Sequence, residues 1–393
     1  MIEQTTSLRV RNLRTYFQSE SGLIKAVDDV SFRVPARKTL ALVGESGCGK
    51  SVTAFSILQL LQMPPALITS ARYLAAHGSG PDAQGRFAWD GRTILPSHIY
   101  FGQQDLLKLD DAGMRQVRGG QIGMIFQEPM SSLNPVYTCG SQIVESIRLH
   151  GKFSASAARH RAIDMLAKVG IPDPAQRFRE YPHQLSGGMR QRVMIAMALS
   201  CRPRLIIADE PTTALDVTIQ AQILELLKQL QADEGLSILL ITHDLAVVAQ
   251  TADVVAVMYA SKLSELTDVK TLFTHSLHPY TQGLFRSLPR LGEKKHRLET
   301  ISGNVPSPLN FPSGCKFHPR CLRTREVARQ VSEAQTVQIV SDGQPTRVLK
   351  RCATQEPTMR EVADGHWCSC WEVEGYETAP ENDPTETGTA LTG

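Results

Sequence analysis

Eight consecutive residues, Gly44-Glu45-Ser46-Gly47-Cys48-Gly49-Lys50-Ser51, carry the spacing G-x-x-x-x-G-K-S, which suits the binding of phosphate groups. The glycines let the backbone curl so that several N–H groups face one centre, and the N-terminus of a following helix adds its dipole. Lys50 would reach β- and γ-phosphates, and the Ser51 hydroxyl would hold Mg²⁺. A second chemical group lies at 205–210, where an apolar run ends in Asp209 and Glu210. Strand ends are where an α/β sheet presents ligands. Asp209 is placed to support Mg²⁺, and Glu210 to act as the base that orients an attacking water, because phosphoryl transfer depends on positioning and charge stabilisation.

Both groups need a strand before them. Residues 39–43 form a short apolar run and 51–62 a helical pattern, so the Gly-rich loop sits between strand and helix. Alternation over 8–17 and 26–34 reads as a hairpin-like start. Helical spacing returns over 142–170 and after Ser186; strands at 205–208, 237–242 and 254–259 then alternate with helices at 219–232 and 245–250. Such alternation implies an α/β fold with a mostly parallel sheet covered on both faces. Prolines and glycines break residues 71–100, read as an irregular insertion with a hairpin over 86–94, and residues 372–393 are poor enough in apolar side chains to be expected disordered.

The 393 residues hold 42 Lys+Arg against 39 Asp+Glu, a net charge of +3. That balance excludes the large basic excess of a dedicated nucleic-acid binder. The first ten residues include Glu3 and lack the apolar core of a secretory signal, which points to an intracellular protein. The longest apolar runs, 193–201 and 254–260, fall short of the roughly 18–20 residues that a membrane span needs. Any membrane association is then peripheral.

Leu185-Ser186-Gly187-Gly188-Met189-Arg190-Gln191-Arg192, some twenty residues before the acidic strand, resembles the signature motif of ATP-binding cassette ATPases. Physically, Ser186 caps a helix whose first turn, with Gly187 and Gly188, offers N–H donors to a phosphate. The resemblance extends to Gln127 as the Q-loop residue, a second Mg²⁺ contact; to Ala214-Leu215-Asp216 as the D-loop; and to His243 as the switch histidine on the γ-phosphate. Tyr16 or Phe17 would stack on adenine. The resemblance implies a P-loop cassette over 1–275, with an antiparallel β subdomain and a helical signature subdomain at about 130–195. It also implies ATP and Mg²⁺ as ligands, and a composite site closed by the signature of a second, homologous subunit, a heterodimer being the expected pairing. A non-transport cassette ATPase is disfavoured by the single phosphate loop, the absence of a long heptad insertion and the low charge.

Residues 126–135, 181–189 and His278-Pro279-Tyr280-Thr281 narrow the resemblance to the ATP-binding subunits of dipeptide, oligopeptide and nickel importers. For that branch the resemblance implies ATP hydrolysis driving import of peptides, or of nickel or another small solute, through two integral membrane permeases, indirectly served by an extracytoplasmic binding protein. It also implies a location on the cytoplasmic face of the membrane. A small Cys-containing extension over 276–371 completes the pattern. Of its five cysteines, Cys315, Cys321, Cys352 and Cys370 fit the ligands of a [4Fe–4S] cluster or a zinc site, with Cys368 left over. Packing as unligated thiols is the plainer alternative. Thirty residues separate Cys321 from Cys352, more than the family pattern has.

Overall fold

Thr39–Val43 has no solvent-facing position, and all five of its residues are buried. A strand apolar on both faces must be central. In a computed structural model describing residues 6–386, apart from 79, 214, 288–299 and 342, this strand lies in parallel register between Ser237–Thr242 and Val254–Tyr259. Leu205–Asp209 and Ile122–Ile125 continue the parallel part. Beyond Val254–Tyr259 the sheet turns antiparallel through Lys262–Asp268, His366–Cys368 and Arg360–Ala363, giving eight strands among the described residues.

Period-2 alternation sorts the side chains. Leu40, Leu42, Ile207, Leu239 and Ile241 form one face with Leu8, Val10, Val27, Phe32 and Ile99 of the antiparallel sheet, built on the hairpin Thr6–Ser19 and Gly22–Pro35. On the other face Ile206, Ala208, Ile238 and Leu240 pack with Ile223 and Leu227 of helix Val217–Glu234 and with Val193 and Ile195 of helix Gly187–Leu199. That cluster continues through Ile143, Ile147, Ala162 and Leu166, at the spacing read from the sequence, on helices Cys139–His150 and Ala155–Lys168. Thr138 and Ser154 cap these two helices through the N–H groups of Ser141 and Ala157.

Several expectations need correction. The helix after the Gly-rich loop is Lys50–Ile57, ending before residue 62 because Gln59 turns out at φ 49°. Residues 71–100 are not irregular: Ser70 caps helix Ala71–His77, and Phe87–Trp89 pairs with Arg92–Ile94 as the expected hairpin. Leu74, Phe87 and Ile94 then close a satellite core. Residues 372–386 are packed rather than disordered. Tyr376 is fully buried with its hydroxyl on the Thr358 carbonyl, and Asp383 pairs with Arg11 at 2.8 Å. One aromatic anchor and ion pairs to the body outweigh the polar composition; residues 387–393 lie outside the described set.

Nor does position 275 divide two cores. His366–Cys368 pairs with Lys262–Asp268, and Trp367 joins the main core. The junction is fixed by Glu265, fully buried, whose carboxylate accepts the N–H groups of Leu277 (2.8 Å) and His278 (3.0 Å) and lies 2.7 Å from His366 Nε2.

His278 accepts the Tyr280 N–H on Nδ1 at 3.0 Å, capping helix Pro279–Arg286. Burial pushes its imidazole down to about 4, against the opposing pull of Glu265. The unfolded chain, with an ordinary value of about 6.5, binds the proton first as pH falls. Stability is therefore complete above that value and drains away towards pH 4, by about 2 kcal/mol between pH 7 and pH 5. The melting temperature should fall over this interval, and His278→Asn, which keeps an acceptor but no titration, should flatten the fall.

Candidate functional site

Strand Thr39–Val43 delivers the Gly-rich loop to the carboxyl edge of the sheet. Gly44 and Gly49 have φ of +156° and +106°, and a Cβ on either would run into the carbonyl oxygen of Met258 or Ala26. Only glycine allows that approach. Lys50 opens the following helix and donates from Nζ to the carbonyls of Gly44 (2.8 Å) and Glu45 (3.0 Å). Cys48 is buried in the main core, so its backbone alone is available to a ligand. Burial also pushes its thiol up, against the nearby Lys50 cation.

The Ser51 hydroxyl donates to Asp209 Oδ1 at 3.0 Å. Asp209 is the last residue of Leu205–Asp209, and burial raises its carboxyl, with the Glu210 charge adding to the shift. Glu210 follows at φ 46°, a left-handed conformation that costs a non-glycine residue energy and is found where geometry is demanded. Its N–H donates to the Ile241 carbonyl at 2.9 Å, which holds the turn. The carboxylate then meets three side chains. His243 Nδ1 lies 3.0 Å from Oε1, while Gln127 Nε2 (3.1 Å) and Thr213 Oγ1 (2.9 Å) donate to Oε2. Burial would raise this carboxyl, but the hydrogen bonds from His243 and Thr213 and the Lys50 charge outweigh it, leaving Glu210 below its ordinary value and ionised at neutral pH.

Gln127 and His243 come from the ends of two different strands, so the parallel sheet brings them to one point. Ser186 and Asp216 form a second group. Ser186 accepts the Met189 N–H at 3.3 Å and Asp216 the Ile219 N–H at 2.9 Å, each capping its helix. Gly188 faces Ile219 and Gly187 faces Leu215. Among the described residues no hydrogen bond or ion pair joins this group to Lys50, Ser51 or Glu210. Ala214 lies outside the described residues.

Two assignments change. Tyr16 is fully buried, donates its hydroxyl to Asp28 and stacks on Trp89 with ring centroids 5.4 Å apart, so its ring has no face for a base. Phe17, half-buried, is the remaining aromatic. Glu45 turns its carboxylate away from the loop and onto Arg320 at 2.8 and 3.1 Å, while its N–H donates to the Tyr280 hydroxyl at 3.0 Å. Thr213, Tyr280 and Arg320 carry no sequence signal of such contacts. Thr213 could have been sought one turn beyond Glu210, but Arg320 lies 275 residues from its partner.

The thirty residues between Cys321 and Cys352 do not separate the cysteines. They contribute helix Leu322–Ala328 and the hairpin of Thr336–Ser341 with Gln344–Leu349, which returns the chain so that the Cys352 carbonyl accepts the Cys315 N–H at 2.8 Å. Burial raises all four thiols, those of Cys321 and Cys370 to about 12. In each of the six pairs among Cys315, Cys321, Cys352 and Cys370 the charge of one raises the other. N–H groups of Phe317, Arg323, Thr324 and Glu372 and the Thr324 side chain oppose this from the other direction. Among the described residues, no three His, Cys, Asp or Glu side chains gather as ligands of one metal ion. The thiols are therefore spread more widely than the tetrahedral site of a single zinc ion requires.

Among the described residues no helix is long and apolar enough to cross a membrane. The family description "ABC transporter" matches residues 27–213, and "Oligopeptide/dipeptide transporter, C-terminal region" matches 264–327. The dipeptide transport ATP-binding protein DppD of Bacillus subtilis is 48% identical over 330 residues, 84% of this chain and 91% of that protein. The protein of the same name from Escherichia coli is 42% identical over 363 residues, 92% and 95% of the two chains. Among solved structures, the dimeric ATP-binding cassette MJ0796 bound to ADP and Pi superposes with a TM-score of 0.54 at 23% identity, covering 67% of this chain and 98% of that one. Its likeness concerns the fold. A phosphate loop, a paired carboxylate edge and kinship to such subunits over most of the length of both chains together place the chain in the ATP-binding cassette family, as an ATPase of the branch that carries the oligopeptide/dipeptide transporter C-terminal region.

Proposed function

We propose that this chain hydrolyses ATP to energise the import of peptides through partner membrane permeases. The observation that carries the catalytic part is the convergence of Gln127, Thr213 and His243 on the Glu210 carboxylate, beside the Ser51–Asp209 pair. The peptide cargo rests on the names of the relatives. In this reading the cassette and the oligopeptide-type extension share one core across position 275 and act as one unit.

The backbone N–H groups from Ser46 to Ser51 and the Lys50 ammonium cradle the phosphates, the Glu45 N–H being committed to Tyr280. Phe17 is the aromatic left to stack on adenine. Glu210 takes a proton from water as its oxygen bonds to the γ-phosphorus, the bond to the β,γ-bridging oxygen breaks, and ADP leaves with that electron pair. His243 faces the γ-phosphate and keeps Glu210 aimed. The Ser51 hydroxyl, the Asp209 carboxylate and the amide oxygen of Gln127, whose Nε2 is committed to Glu210, are hard oxygen donors that suit Mg²⁺. When bound, that ion would neutralise developing phosphate charge. The helix N-terminus at Ser186, Gly187 and Gly188, with Asp216 beside it, would close over ATP held by a second homologous subunit. The pair would sit on the cytoplasmic face of the membrane against two permeases, which an extracytoplasmic binding protein supplies.

Cys315, Cys321, Cys352 and Cys370 would hold a [4Fe–4S] cluster. Their pairwise proximity without convergence on one point suits a cluster of four irons better than one ion, and the N–H groups aimed at the sulfurs favour thiolates. Cys368 stays outside this set.

Lys50→Ala should lower steady-state ATP turnover on the order of a hundredfold. Glu210→Gln should retain ATP binding yet hold the assembled complex closed, and an unchanged ATPase rate in that complex would defeat the assigned role. Anaerobically purified protein should contain about four irons and four acid-labile sulfides per chain; metal-free protein would reduce the cysteines to packing.

A further inference from the structure

Glu45 occupies the second position of the phosphate loop, yet everything that holds it comes from the far end of the chain. Its carboxylate accepts two hydrogen bonds from the Arg320 guanidinium, and its N–H donates to the Tyr280 hydroxyl. Arg320 is almost wholly buried and further fixed by donating to the carbonyls of Ser302 (3.0 Å) and Ile301 (3.3 Å). Tyr280 is fully buried, 4.6 Å from the Tyr259 ring and 5.5 Å from that of Phe317. The Glu45 carbonyl in turn receives Lys50 Nζ. An unpaired carboxylate here would repel the polyphosphate that the loop must accept, and a bidentate guanidinium removes that charge while fixing the backbone.

We propose that Arg320, with Tyr280, is a positioning residue for the phosphate loop, so that the C-terminal extension sets nucleotide affinity by neutralising and orienting Glu45. The proposal rests on the ATP-binding reading above and is independent of any metal at the cysteines. Arg320 does not touch nucleotide; it acts through Glu45, and its effect belongs to binding rather than to the chemical step.

The test is calorimetric titration of MgADP into the full chain, which needs no turnover. Arg320→Met should weaken binding about tenfold, while ATPase activity at saturating ATP in the assembled complex stays within about twofold, so that KM moves and kcat does not. Glu45→Gln combined with Arg320→Met should bind within about twofold of Glu45→Gln alone, since no carboxylate is then left uncompensated. A double variant as weak as Arg320→Met would mean that the arginine serves only the packing of its own segment, and would overturn the proposal, as would unaltered binding by Arg320→Met. Should Arg320→Met fail to fold, Tyr280→Phe removes a single acceptor with little change of volume. It should weaken MgADP about threefold, and an unchanged affinity would count against the proposal. A parent chain that binds no MgADP would instead overturn the ATP reading, and this proposal with it.

Discussion

A site built to receive a polyanion contains three carboxylates of its own, and keeping those negative charges compatible with the ligand is the constraint that the rest of the structure serves. Asp209 and Glu210 are adjacent in sequence, and Glu45 lies in the loop itself. Each is given a separate partner set: Ser51 for Asp209, the Gln127, Thr213 and His243 group for Glu210, and Arg320 for Glu45. The left-handed turn at Glu210 makes the first separation possible. It sends two neighbouring carboxylates in different directions, one to a hydroxyl and one to a cluster of donors. Their protonation tendencies are driven apart accordingly, Asp209 upwards by burial and Glu210 downwards by its donors, so that Glu210 is the one of the two held ionised by its own hydrogen bonds.

The sheet supplies the common edge. Parallel strands all point their carboxyl ends the same way, so residues far apart in sequence that follow Val43, Ile125, Ala208 and Thr242 arrive together. The pairing runs without a register shift along all of these parallel strands, so the ends stay level.

That is also why so much of the site was legible in the sequence. The phosphate loop, the acidic strand end and the capped helix at Ser186 are local patterns whose chemistry and conformation coincide, and the structure returns each as a strand–loop–helix or cap. What stayed hidden depends on long-range pairing. Tyr16 and Phe17 are neighbours on a strand, and only the packing of Trp89 and Asp28 decides which one is buried. Residues 372–386 look too polar to pack until Tyr376 finds its pocket and Arg11 and Arg360 receive the acidic side chains. The insertion before Cys352 adds length without adding distance, because a hairpin returns the chain to its start, a property of pairing that residue counts do not reveal.

The extension is better regarded as part of the ATPase than as an appendage. Its strand His366–Cys368 extends the main sheet, Trp367 fills the main core, and Phe317 and Cys321 pack beneath Ala41 and Val43 of the strand that delivers the phosphate loop. Its polar contacts reach the same place: Lys316 donates to the Ala260 carbonyl, and Arg320 and Tyr280 meet Glu45. The apolar part of this contact is buried, with Tyr280, Phe317 and Cys321 in one core with Ala41 and Val43, and packed cores resist gradual deformation. A rearrangement of the segment around Cys315 and Cys321 would therefore be passed to the loop at Glu45 instead of being absorbed on the way. The arrangement gives a cysteine-bearing segment a direct mechanical and electrostatic hold on the place where the phosphates arrive.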